Sequence, residues 1–110
     1  MPFQFARNDG VVAAITGVGT AQVGAPELTG DVNVLSSTAG QTAAVLPARP
    51  RGPVICRVTG GTAATIFPAV GGAFNGGSVN AAVSVASGAI AVFYPHANYV
   101  DATAVELTAA

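Results

Sequence analysis

Apolar and polar residues along this chain alternate in short bursts and never hold a helical spacing, so the pattern predicts strands. Phe3 and Phe5 flank Gln4, and Asn8-Asp9-Gly10 follows as a turn. Val11 to Thr16 reads as a strand closed by Gly17-Val18-Gly19, and Thr20 to Val23 as another closed by Gly24-Ala25-Pro26. Asp31 to Leu35 puts Val32 and Val34 on one face, and Thr42 to Leu46 follows a polar turn at Ser36 to Gly40. The segment from Pro47 to Pro53 holds three prolines in seven residues, which predicts an extended, stiff linker. Pro53 to Thr59 sets Val54, Cys56 and Val58 against Ile55 and Arg57. Ala63 to Phe67, Val79 to Ala86, Ala89 to Tyr94, Asn98 to Val100 and Ala104 to Thr108 complete the series. In the segment ending at Tyr94, Ile90, Val92 and Tyr94 share one face and Phe93 takes the other.

About eight to ten short strands separated by turn residues predict an all-β fold, a small jelly-roll-like β-sandwich or barrel. An extended N-terminal arm is expected over residues 1–10 and a single β domain over 11–110, with the proline-rich linker at 47–53. No internal repeat stands out in the letters themselves.

Composition sharpens this picture mainly through charge. Charged residues make up 8% of the chain, lysine is missing and the net charge is −1; ordinary soluble domains carry about 25%. The surface must therefore be built from Ala, Gly, Ser, Thr, Asn and Val: either much of it is covered in an assembly, since broad apolar patches mark contact sites, or a neutral, hydroxyl-rich surface is tolerated. Nucleic acid is an unsuitable partner, because binding it rests on neutralised phosphates and four arginines face five acids. Hydrophobic residues reach 51%, but Ala and Val supply most of them. Binding partners add stability to such a modest core by mass action. Between Val58 and Val100 there is no Asp, Glu, Lys or Arg, yet Gly pairs and Pro68 interrupt the stretch, so it predicts strands and turns and no membrane span. Asp9 and the weak apolar stretch after it give no expectation of an export signal.

Candidate chemistry is thin. His96 is the lone histidine and Cys56 the lone cysteine, so a tetrahedral zinc site is not expected and Cys56 reads as a small buried hydrophobe. The serines lie on no nucleophile-elbow pattern, and Asp9, Glu27, Asp31, Asp101 and Glu106 are scattered. Gly17-Val18-Gly19 lacks the third glycine of a dinucleotide fingerprint, and a phosphate loop needs a lysine. No catalytic, cofactor or metal residues are nominated, and the chain is read as a non-enzyme.

One stretch is distinctive. Thr65-Ile66-Phe67-Pro68-Ala69-Val70-Gly71-Gly72-Ala73-Phe74-Asn75-Gly76-Gly77 is an apolar strand, an aromatic-Pro stop and a Gly-rich turn. Asn80 to Tyr94 then forms a hairpin ending in aromatics, and Leu46-Pro47 through Thr59 precedes it in the same layout. Residues 46–95 thereby resemble small tailed-bacteriophage capsid decoration, or cement, proteins. The resemblance implies a homotrimer on the capsid exterior that binds the major capsid protein and clamps neighbouring copies of it against internal pressure. Phe3 and Phe5 on the arm, by strand addition to a neighbour, and Phe74, on a loop tip between glycine pairs, are the nominated contacts. A phage tail or fibre module binding a host receptor or glycan stays open, with Tyr94, His96, Asn98 and Tyr99 as its cluster. So does a cellular secreted or surface β domain.

Overall fold

A computed structural model describes residues 12–47, 53–74, 78–95 and 104–109. Phe3, Phe5, most of the proline-rich linker, His96, Asn98 and Tyr99 lie outside them. The described residues hold strands and turns and no helix. The strands are β1 Val12–Thr16, β2 Val32–Ser36, β3 Ala43–Val45, β4 Val54–Thr59, β5 Ala64–Phe67, β6 Ala73–Phe74, β7 Val83–Val85, β8 Ile90–Pro95 and β9 Ala104–Ala109. They form a six-stranded sheet in the order β1-β2-β4-β8-β9-β6 and a three-stranded sheet in the order β3-β5-β7. The expected all-β character is present, and among the described residues neither sheet closes on itself into a barrel.

The pairing departs from an antiparallel jelly roll. β1, β2 and β4 are parallel neighbours, and so are β3 and β5. From β2 to β8 the chain alternates between the sheets, strand by strand. The result is a stack of coils, each laying one strand in the larger sheet and one segment beside or in the smaller. Val12 pairs with Val32, 20 positions on, and Val32 with Ile55, 23 on. Their strands align as Val-Ala-Ala-Ile-Thr-Gly (12–17), Val-Asn-Val-Leu-Ser-Ser (32–37) and Ile-Cys-Arg-Val-Thr-Gly (55–60).

Backbone bonds at the corners repeat with the coils. Gly17 N–H donates to Ser36 O (2.9 Å), and Ser37 N–H to Thr59 O (2.8 Å), the same bond one coil further along. Thr42 N–H donates to Gly19 O (2.9 Å) and Thr65 N–H to Thr42 O (3.0 Å). Above that ladder the Thr42 and Thr65 hydroxyls lie 3.1 Å apart. The first coil diverges after Gly19: Thr20 to Val23, expected as a strand, is a loop. Its Gln22 side chain is committed to a distant carbonyl, that of Pro68 (2.8 Å).

The core lies between the sheets. Leu35, Cys56, Val58, Ala91 and Phe93 from the larger sheet meet Ala44, Ala64, Ile66 and Val85 from the smaller, with Leu28 and Leu46 beside them. Each fully buried Leu, Ile, Val or Phe contributes about 1.5–3 kcal/mol. The alternation in β4 and β8 is as the pattern predicts: Val54, Cys56 and Val58 point in, as does Phe93, while Ile55 and Arg57 point out.

Two polar residues among the described ones are fully buried, Asn33 and Ser37. Asn33 takes the inward place next to Leu35, and its side chain closes a turn on its own backbone. Oδ1 accepts from Gly30 N–H (2.9 Å), and Nδ2 donates to Gly30 O (2.9 Å) and Ile55 O (3.1 Å). Full pairing makes this burial tolerable.

Candidate interaction surface

The parallel register that stacks the coils also sorts the outward side chains into rows. Val12, Val32, Ile55 and Val92 stand side by side across β1, β2, β4 and β8. Two residues along, Ala14, Val34, Arg57 and Ile90 form the next row, and Thr16, Ser36 and Thr59 a third. A sheet face with solvent on it ordinarily carries polar residues. Here the first row is wholly β-branched and apolar, and Arg57 is the one charged residue of the three rows. Val32, Val34, Ile55 and Val92 are half-buried by their neighbours, whereas Val12, Ile90 and Tyr94 are 69%, 38% and 44% exposed. Apolar side chains lined up in this way suit covering by another protein surface.

The nominated contact residues fare differently. Phe3 and Phe5 lie outside the described residues. Phe74 does not sit on a loop tip: it is buried in β6, its ring 5.4 Å from that of Phe93 and tilted by 38°. β6 pairs in parallel with β9, and this pairing draws Phe74 into the sheet. A sequence reading sees the flanking glycine pairs and infers a turn, because a two-residue strand leaves no alternation to detect. Tyr94 of the glycan cluster is exposed; the other three residues of that cluster lie outside the described set.

Reactive chemistry does not gather anywhere in the described residues. No group of three or more His, Cys, Asp or Glu side chains stands close enough to hold a metal among them. Cys56 is fully buried, and desolvation pushes its thiol up to about 12 from an ordinary 9.0, which keeps it protonated and inert. No helix among the described residues is long and apolar enough to cross a membrane.

Compared with protein-family models, with curated proteins and with solved structures, the chain matches none.

Proposed function

We propose that this protein is a structural component of a tailed-phage virion, a capsid decoration protein that clamps neighbouring major capsid proteins from the outside of the shell. The observation that supports this reading best is the outer face of the larger sheet. Four apolar side chains in register across four strands, with one arginine in the adjoining row, suit permanent burial against another protein. The chain's 8% charge fits a part that spends its working life within an assembly. Stabilisation would come from burying this face across the joint between two shell subunits, so that separating them re-exposes apolar area.

Co-sedimentation with empty heads of the source phage tests the reading. The wild-type protein is expected to pellet with the heads and to raise the temperature at which they rupture. Ile55→Lys, which places a second cation on the face, is expected to weaken binding at least tenfold, about 1.4 kcal/mol. Heads that neither bind nor gain stability would sink the proposal.

The stacked parallel coils favour a second reading, a tail or fibre module, since such stacks extend along one axis. Exposed Tyr94 would then contribute to a receptor or glycan site. Glycan binding lost in Tyr94→Ala, without head binding, would select it.

A further inference from the structure

β3 lies at an edge of the smaller sheet, with β5 as its one strand neighbour among the described residues. A sheet edge offers unpaired N–H and C=O groups to any other strand, and proteins often cover such an edge with a loop. Here one loop, residues 18–28, takes the backbone groups that β3 turns away from β5. Val18 N–H donates to Ala43 O (3.3 Å), and Ala43 N–H to Gly19 O (3.1 Å). Leu28 N–H donates to Val45 O (2.9 Å), and Val45 N–H to Pro26 O (2.9 Å). The loop thus lies on the edge at its two ends and leaves it between them. Gly19 N–H, donating to Gln41 Oε1 (2.8 Å), holds the first end, and Leu28, buried in the core, holds the second.

The middle of the loop is fastened elsewhere. Gln22 Nε2 donates to Pro68 O (2.8 Å) and to Asn80 Oδ1 (3.3 Å). Asn80 Oδ1 also accepts from Gly71 N–H (2.7 Å), and Asn80 N–H donates to Gly72 O (2.7 Å). Asn80 is the sole non-glycine residue with positive φ among the described residues (65°), a conformation these bonds hold in place. From Thr20 to Ala25 the backbone bonds only within the loop, Ala25 N–H to Gln22 O (3.2 Å), among the described residues. The Gln22 side chain is therefore the tie between this stretch and the rest of the fold.

We infer that residues 18–28 form a strap that guards the β3 edge and opens as one unit, with Gln22 as its fastening. Shut, the strap leaves Ala43 and Val45 no backbone group with which to pair another strand. Open, it releases both residues at once. Segments that open locally are those with little buried surface and exposed backbone bonds, and from Val18 to Glu27 no residue is buried. The core beneath does not need the strap's middle: Ala43 and Ala44 are fully buried, whereas Val23 at the crest of the loop is 90% exposed. The strap is separate from the sheet face proposed to meet the shell and does not depend on that reading.

The test is amide hydrogen exchange, read residue by residue by NMR on the full-length protein, for wild type, Gln22→Ala and Asn80→Gly. The Ala43 and Val45 amides, which donate to the strap, report its opening. The Leu46 amide, which donates to Phe67 O (3.0 Å), and the Thr65 amide, which donates to Thr42 O (3.0 Å), report the sheet on the other side of β3. Gln22→Ala is expected to speed exchange at Ala43 and Val45 roughly tenfold, the effect of losing its two hydrogen bonds, and to leave Leu46 and Thr65 unchanged. Asn80→Gly keeps the positive φ and deletes one of the two acceptors, so it is expected to speed the same two amides by less. It carries the test if Gln22→Ala disturbs the fold. Equal acceleration at all four amides would mean that the loop opens only with the whole sheet, and would overturn the inference. Unchanged exchange at Ala43 and Val45, or a change at one of them alone, would overturn it too. The guarding role has its own readout, the mass by light scattering during storage at high concentration. Gln22→Ala is expected to gain mass over wild type as opened edges pair; an opened strap with the wild-type mass overturns the guard.

Discussion

The backbone of Gly60 packs directly onto the main chain of Ser37, the corner residue of the preceding coil. A β-carbon on Gly60 would overlap the Ser37 carbonyl oxygen, and Gly60 also has φ +99°. Its neighbour Gly61 has φ +91° but open space around it. The two glycines therefore separate steric contact from backbone strain. Gly60→Ala is expected to cost about 4 kcal/mol, combining an unfavourable φ with overpacking, and Gly61→Ala about 1–2 kcal/mol from φ alone. Urea denaturation of both variants checks this; equal midpoints would mean the coils are not in contact at that corner.

Asn33 offers a second test of the stack. Removing its amide in Asn33→Ala leaves Gly30 N–H, Gly30 O and Ile55 O without their side-chain partner. Each orphaned buried group costs about 1–3 kcal/mol, so a loss of about 3 kcal/mol or more is expected in chemical denaturation. Asn33→Leu, which suits an apolar core by volume, is expected to be no better. Should the leucine variant match wild type, the buried amide would have no role in holding the turn.

Phe74 is expected to behave as a core residue. Phe74→Ala should lower stability by about 3–5 kcal/mol, seen as a fall in melting temperature, and Phe74→Leu by less. A variant with unchanged melting but lost self-association or head binding would return Phe74 to the surface.

Cys56 links pH to stability with a definite sign. The folded thiol titrates near 12 and the unfolded one near 9.0, so below pH 9 both states keep the proton and the contribution is flat. Above it the unfolded chain releases its proton first, and stability should fall by about 1.4 kcal/mol per pH unit until the folded value is reached. Cys56→Ala should remove that slope. In the same spirit, a maleimide at pH 8 should leave the folded protein unlabelled and label it fully in guanidinium.

Most strands of this fold were legible in its sequence, though β6 was read as a turn and Thr20 to Val23 as a strand, and the strands' partners were not legible. Alternation in Val54 to Thr59 and Ile90 to Tyr94 split the side chains between the two faces correctly, because successive residues of a pleated strand point to opposite sides, but alternation alone does not say which face meets the core. The parallel stack escaped notice because Val12–Gly17, Val32–Ser37 and Ile55–Gly60 share residue classes and few identities. Only the spatial register shows that an apolar pair, a hydroxyl and a small corner residue recur. Asn33 broke the inward pattern in β2; two of its bonds are local, to Gly30, and the third reaches Ile55 O 22 residues away. The fastening of the strap was hidden by distance, being made by bonds from Gln22 across 46 and 58 positions.

The placement of β9 has a consequence for synthesis on the ribosome. Each early coil finds its partner in the segment made just before it, so β1, β2 and β4 can zip together in the order they emerge. β6 cannot: among the described strands its one neighbour is β9, through Ala73 with Ala104 and Phe74 with Val105. Some thirty residues of translation separate the two, and until that stretch has left the exit tunnel a core phenylalanine waits without its strand. A nascent chain halted before Ala104 would therefore expose Phe74 to chaperones and proteases, even though its first coils were already in place.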